Sequence, residues 1–598
     1  MCIVKKTFFC TFLMIFCSFS LAFAENRYPG TDWRDAPDPI ASPFAERGGQ
    51  LNLYLGQYPK SLNYYLEASV SAGAMFELMY EPLLGNDPLT LDYAPGLAHK
   101  WSVSEDGTVI TFIIDPNAYW SDGVKITAHD VLWTYDMIVK PENLTGQFKT
   151  ALLRFERPEV LADNTIRFKA KEAHWKNLLF AGSYISVMPK HVFEKTDFNK
   201  INFEFPVVSG PYKVENVSEG AKITMTRRDD WWAGAYERTQ NQFNFDRIAF
   251  QFFADSLNAF DIFKKGLTDV YTVSVSRVWM DETKGERFNK NWIVKQAVYN
   301  FDPPGFQGFA MNMRAFPFDD PNVRKAMNLL IDRQEINKTI MYDQYFLHRS
   351  YNEDLFDKDH PHVNPLYEKN VAEAKKLLAA AGYKANPQTG FLEKDGRRLS
   401  FKFLSRDNTM DNILAMYAET LKNAGIEMII DQKDWAAWLK DMDEHNYQMT
   451  TAAWTTPVFR DPEAMWSSKE ADIKSSINIT GFKNARVDEL IEKQRTVFDM
   501  DERNEIMREI DALIFSEHPY VLLWNINYTR LLYWNKFGTP PTVFGKYANE
   551  YASIITYWWY DENAAEELEA AMTESLSLPA KPATVKFEDV FKTAGSGL

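Results

Sequence analysis

Residues 95–136, PGLAHKWSVSEDGTVITFIIDPNAYWSDGVKITAHDVLWTYD, constrain this chain more than any other stretch. Glu105-Asp106-Gly107 is a turn signal between two runs that suit strands, 101–103 and 108–114, so the spacing predicts a β-hairpin. A second turn, Ser121-Asp122-Gly123, follows the pair Tyr119-Trp120. Thr127 stands three residues before Asp130, the spacing of a capping box, and Val131, Leu132, Tyr135 and Ile138 then share one helical face. The local expectation is a hairpin, an aromatic corner and a capped helix, with Trp101 and Trp120 as core residues.

At 598 residues the chain exceeds what one hydrophobic core serves, so two or more lobes are expected. Its first 24 residues have the pattern of a secretory signal: Lys5-Lys6, an apolar run from 7 to 19, and Ala22-Phe23-Ala24 as a small-x-small cleavage site after Ala24. Cys2, Cys10 and Cys17 all fall inside it, which leaves an exported chain with no disulfide. Phe16 precedes Cys17 where a lipid-anchoring motif needs a small residue, so the expectation is a free periplasmic protein. The segment holds two lysines and no acid, and its removal takes the formal charge from −16 to −18. Such an acidic balance argues against nucleic acid or an anionic membrane as partner. No later segment offers the roughly 20 apolar residues of a spanning helix; residues 520–534 come nearest and are interrupted by Asn525, Asn527 and Arg530.

Leu97-Ala98, Trp101, Asp106-Gly107, Phe112, Trp120, Asp122-Gly123 and Thr127-Ala128-His129-Asp130-Val131, in that order, resemble the signature of the family 5 extracellular solute-binding proteins, the dipeptide-, oligopeptide- and nickel-binding receptors of ABC importers. Further blocks extend the resemblance over about 51–558. They are Tyr80-Glu81-Pro82-Leu83-Leu84, Gly210-Pro211-Tyr212, the strand end at Arg227 to Trp232, and the helix opened by Asp320-Pro321 with Val323, Ala326, Met327, Leu330 and Ile331 on one stripe. The resemblance implies an α/β, two-lobe periplasmic-binding-protein fold of type II, in the large peptide-binding class, with an extra subdomain in the first lobe. It places the first lobe at 25–300 with the subdomain at about 69–190, the second lobe at 301–520, and a return to the first lobe plus a polar tail at 521–598. The crossings between lobes are expected near 300–309 and 520–528, and the tail from 561 is expected to be peripheral or partly mobile.

The same resemblance implies a ligand-facing role for Tyr58, Ser61 and Asn63 in the segment after the first strand, which otherwise reads as an ordinary Pro/Ser turn. In peptide-binding relatives a Trp at the position of Trp454 opens a loop whose acid holds the ligand's ammonium. Here Pro457 occupies that acid's place, so either Asp461 substitutes or the ligand lacks a free amino end there. Thr455 and Arg460 share this loop, whose alternative reading is an Asp-Pro turn with a solvated arginine. Trp435 either lines the cleft or packs with Trp438 on a helix. The variant Trp loop, the Pro-rich leader, the tail and the Tyr64-Tyr65 pair resemble the Yej-type oligopeptide-binding subgroup.

Asp229-Asp230 reads as solvated turn acids rather than a catalytic pair, and His360 with His362 lacks the partners of a durable metal site. The expectation is a monomeric, non-enzymatic receptor without cofactor or metal that captures a peptide and passes it to the membrane permease of an ABC importer. Receptors for nickel chelates or oligosaccharides are the alternative within the class. A secreted hydrolase is the rival outside it, and for glycans it needs paired carboxylates in the cleft.

Overall fold

The hairpin forms as the turn chemistry dictates: Ala98–Val103 pairs antiparallel with Val109–Ile114, and Gly107 adopts a φ of 68° at the tip. This computed structural model describes residues 33–253 and 256–595; the expected signal segment lies outside them. Thr165–Lys169 and Glu159–Ala162 extend the hairpin into a four-stranded antiparallel sheet. The helix Ala128–Val139 carries the full capping box, Thr127 with Asp130, and buries Val131, Tyr135 and Ile138. Trp120 is 1% exposed and Trp101 8%, so both are core residues.

A second sheet runs in the order Gln50–Tyr54, Arg247–Gln251, Lys222–Arg227, Tyr212–Ser218, its first pair parallel and the rest antiparallel. Two of the sequence blocks meet at its end. The Glu81 carboxylate accepts from the indole N–H groups of Trp231 at 3.2 Å and Trp232 at 2.7 Å. Arg228 Nη1 donates to the carbonyls of Val208, Ser209 and Gly210, which fixes the Gly-Pro-Tyr turn. Asp229 is left 91% exposed on its side chain.

A third sheet joins Val270–Thr272, Thr529–Trp534, Ile293–Tyr299 and Thr584–Lys586. Its last strand pairs in parallel with Ile293–Tyr299 and comes from the polar tail. The tail is therefore peripheral in topology but not loose: Phe587 is 3% exposed and Glu562–Glu574 is a helix with Leu568 and Ala571 buried.

The fourth sheet has five strands in the order Glu427–Gln432, Ser400–Ser405, Met449–Trp454, Phe306–Met311, Tyr520–Leu522, of mixed direction. The helix Pro321–Leu329, capped by Asp320 accepting from the backbone N–H of Asn322, buries Val323, Ala326 and Met327 against it. The hydrophobic side chains around this sheet cluster separately from those of the first three sheets. The backbone passes between the third and fourth sheets at residues 300–305 and again at 523–528. Among the described residues no helix is long and apolar enough to cross a membrane.

Candidate functional site

A cavity of about 910 Å³ opens beside the two crossings. Asn300 to Pro304 and Asn527 line it where the chain changes sheets. Leu91, Tyr299, Tyr547 and Phe587 face it from one side, and Phe346, Arg349, Asp354, Phe356, Val458 and Arg460 from the other. Ligand atoms placed here touch both bodies of the molecule at once.

Charge of both signs reaches this space. Arg460 is buried and pairs with Asp354, while its Nε has no hydrogen-bond partner among the described residues. Glu353 accepts from the backbone N–H groups of Arg349 at 2.6 Å and Ser350 at 2.9 Å, and lies 3.1 Å from His362 Nε2. Burial alone would raise the Glu353 pKa, but His348 with its Nδ1 3.4 Å away, the Arg349 backbone N–H and His362 hold it below the usual carboxylate range. Burial lowers the pKa of both His348 and His362. Asp302 is different: burial, then repulsion by Glu550 and Asp354, pushes its pKa up to about 6. No cation pairs with Asp302 among the described residues, and Lys586 reaches the cavity with its ammonium over the Tyr299 ring at 5.6 Å. The site thus offers acceptors for an ammonium, donors for a carboxylate, and aromatic walls between them.

Next to Arg460 of the lining, residues 107 and 175–176 meet residues 461 and 494–503. Trp175 Nε1 donates to Gln494 Oε1 at 3.0 Å and the Trp175 backbone N–H to the Arg495 carbonyl at 2.9 Å. The Arg503 guanidinium lies 4.3 Å from the Trp175 ring centre. Lys176 forms an ion pair with Asp461, and the Phe498 ring covers Gly107 so closely that a Cβ there would lie 2.5 Å from it. On the side of the crossings, Tyr528 OH donates to Gln344 Oε1 at 3.1 Å and Tyr342 OH bonds Asp281.

Of the residues expected from sequence to meet ligand, only Arg460 lines this cavity. Asp461 lies outside the lining, its charge taken by Lys176, so it is not free to hold an ammonium. Trp454 ends its strand with Nε1 donating to Tyr520 OH at 3.1 Å, and Thr455 follows it, exposed. Tyr58 stacks on Phe203 with ring centres 5.5 Å apart, and meets Phe252 edge-on at 5.1 Å. Ser61 and Asn63 are buried and bond to the carbonyls of Asn202 and Phe198. All three are committed to packing against residues 198–203 and Phe252, because the segment after the first strand folds inward. Trp435 is 57% exposed, stacked on Trp438 at 5.2 Å under Arg406, away from the cavity.

Sequence reasoning missed Asp302, Arg349, Asp354 and Lys586. Asp302 carried a signal, an acid followed by Pro303-Pro304 inside the expected crossing. Lys586 carried none, since only the parallel pairing of the tail brings it to the cavity.

Two α/β bodies joined by two strand crossings, with a cavity between, define a receptor of the type II periplasmic-binding-protein class. Solved structures agree on the fold. The oligopeptide-binding protein AppA of Bacillus subtilis in complex with a nonapeptide superposes with a TM-score of 0.68 at 21% identity, over 86% of this chain and 99% of that one. NikZ of Campylobacter jejuni in complex with Ni(L-His) gives 0.67 at 20% identity, over 85% and 99%. The model of the bacterial extracellular solute-binding proteins, family 5 Middle, matches residues 92–475, and the chain belongs to that family. The probable peptide-binding protein YejA of Agrobacterium fabrum is 27% identical over 542 residues, covering 83% of this chain and 88% of the relative.

Proposed function

We propose that this protein captures oligopeptides or peptide-like compounds in the interlobe cavity and delivers them to the membrane permease of an ABC importer. It acts as a periplasmic monomer once its signal segment is removed after Ala24, and it performs no chemistry on its cargo. The observation that carries the reading is the cavity itself: about 910 Å³, lined from both α/β bodies, with Asp302 unpaired by any cation among the described residues and the cations Arg349 and Lys586 in the same lining. That volume lies towards the upper end of the roughly 300–1,000 Å³ of small-molecule sites. The names of YejA and AppA support the peptide class.

In this reading Asp302 receives the ligand's ammonium, in place of the loop acid that Pro457 replaces, and Arg349 and Lys586 receive its carboxylate. The lobes are 25–300 and 301–520, with 521–598 returning to the first, and they hinge at the two crossings. Calorimetric titration with a peptide library tests it. Micromolar binding, roughly −8 kcal/mol, is expected, and absence of heat up to millimolar peptide rejects it. Mass spectrometry of ligand retained through native purification separates a peptide from the cargo of the other branch of the fold, a nickel chelate of the kind named for NikZ.

A further inference from the structure

Arg530, on the strand Thr529–Trp534 just past the second crossing, is 0% exposed. Its guanidinium meets hydroxyl oxygens only. Nη1 donates to Ser276 Oγ at 3.2 Å and to Tyr345 OH at 3.3 Å, and Nε to Tyr528 OH at 3.4 Å. Nη2 is buried and has no hydrogen-bond partner among the described residues. The guanidinium carbon lies 5.0 Å from the Tyr345 ring centre, and Tyr345 packs on the hydrophobic cluster beside the five-stranded sheet, so the arginine reaches from one body to the other.

The other buried arginines are better provided for. Arg228, Arg238, Arg324 and Arg460 each pair with a carboxylate, and Arg333 and Arg503 donate to backbone carbonyls. Arg530 has neither kind of partner among the described residues. A second cation stands on the same face of the sheet, because Ala297 is opposite Arg530 and Lys295 is two residues before it. The Lys295 ammonium donates to the Trp279 carbonyl at 2.6 Å and to Thr283 Oγ1 at 2.7 Å, and it also has no carboxylate partner among the described residues. Burial, then Lys284 and Arg530, lower its pKa. The acids of that turn are taken: Asp281 pairs with Lys284, and Glu282 with Arg277.

A buried charge is costly unless a counter-charge joins it, and an orphaned buried donor marks a place for a water or an ion. Water satisfies the hydrogens of Nη2 and leaves the charge; an anion answers both. We propose that chloride binds beside Arg530 Nη2 and ties the third sheet to Tyr345. The choice among anions follows from the free donors. A carboxylate or phosphate takes two parallel N–H groups from the guanidinium fork, but both hydrogens of Nη1 are spent on Ser276 and Tyr345, and that of Nε on Tyr528. A single spherical ion needs only the free nitrogen, and it suits a side chain with no exposed surface.

Diffraction at the bromine absorption edge from crystals of the full chain soaked in sodium bromide tests the site without any substitution. An anomalous peak beside Arg530 Nη2 is expected, and it is expected to vanish in Arg530→Met. That variant keeps the length of the side chain and removes a charge that no carboxylate pairs, so its unfolding temperature is expected to be no lower than the parent's. Occupancy joins the two bodies, so under the proposed receptor role, on which this consequence rests, it favours the closed form. Peptide affinity is then expected to be about fivefold tighter in sodium chloride than in sodium gluconate at equal ionic strength, and equal in the two salts in Arg530→Met. A bromide peak in a chain that binds no peptide supports the site and tells against the receptor role instead. The proposal is overturned if water and no bromide lies beside Arg530, if the parent's peptide affinity is the same in both salts, if the chloride effect persists in Arg530→Met, or if formate replaces chloride without loss.

Discussion

In the proposed function, Asp302 is the residue on which ligand choice turns in the cavity beside the crossings. Its pKa of about 6 arises from burial and from its acidic neighbours Glu550 and Asp354. An ammonium ligand binds the ionised form, which is about a tenth of the population one unit below that pKa and about nine-tenths one unit above it. Affinity for a peptide with a free amino terminus is therefore expected to rise about tenfold from pH 5 to pH 7, and in Asp302→Asn to be weaker and flat across that range. Calorimetry at the two pH values checks this, and an amino-acetylated peptide serves as the control that shows no rise. Arg460 makes a separate point about the same wall. Its guanidinium is buried while its partner Asp354 is exposed, so the group that needs the pair is the arginine. Asp354→Asn, which leaves the buried guanidinium without its counter-charge, is expected to lose about 1–3 kcal/mol of stability in denaturant unfolding, and Arg460→Met in the Asp354→Asn background to recover part of it. Recovery locates the cost in the stranded guanidinium rather than in lost packing.

At the scale of elements, the proposed receptor role makes the contacts of Gly107 and Lys176 with Phe498 and Asp461 a latch between the hairpin sheet and the body built on the five-stranded sheet. Phe498, at the start of the helix-bearing segment before Met500–Glu517, rests on the Gly107 turn, and Asp461 meets Lys176. Neither Phe498 nor Asp461 lines the cavity. Phe498→Ala and Asp461→Asn are each expected to weaken ligand about three- to tenfold, roughly 0.7–1.4 kcal/mol, by favouring the open arrangement; dissociation constants measured beside those of the parent check it. The same elements show what spacing can and cannot convey. The hairpin, the Thr127–Asp130 capping box and the Asp320-capped helix are local, set by turn chemistry and by apolar residues recurring every three or four positions. The contact of Glu81 with Trp231 and Trp232 joins two blocks that are each visible in sequence, but the 150 intervening residues hide their meeting. The site was legible only in outline. The backbone passes between the third and fourth sheets at 300–305 and 523–528, whereas Tyr58, Ser61 and Asn63 are drawn into packing against residues 198–203 and Phe252, and Lys586 enters from a tail whose composition gives no hint of a strand.

For the whole molecule, the arrangement of cores decides how ligand and shape are coupled. The first three sheets and the five-stranded sheet have separate hydrophobic clusters, so rotation at residues 300–305 and 523–528 leaves both interiors intact. Gly305 closes the first crossing at a φ of 66°, where a Cβ would collide with the Trp454 carbonyl, so the close approach at that end of the crossing admits only glycine. What opposes opening is then the latch and whatever occupies the cavity. A ligand can shift the balance only by its differential affinity for the closed form, and one that touches both walls has that affinity by construction. Binding to the native form alone adds about 2.7 kcal/mol of stability at a hundredfold excess over the dissociation constant. Small-angle scattering of the ligand-free chain is therefore expected to show a larger radius of gyration in Asp461→Asn than in the parent, and saturating peptide to bring both to one compact value. Equal radii for the two ligand-free proteins would remove the latch from the account while leaving the cavity in place. A radius unmoved by peptide in Asp461→Asn would instead mean that the cavity walls do not close on their cargo.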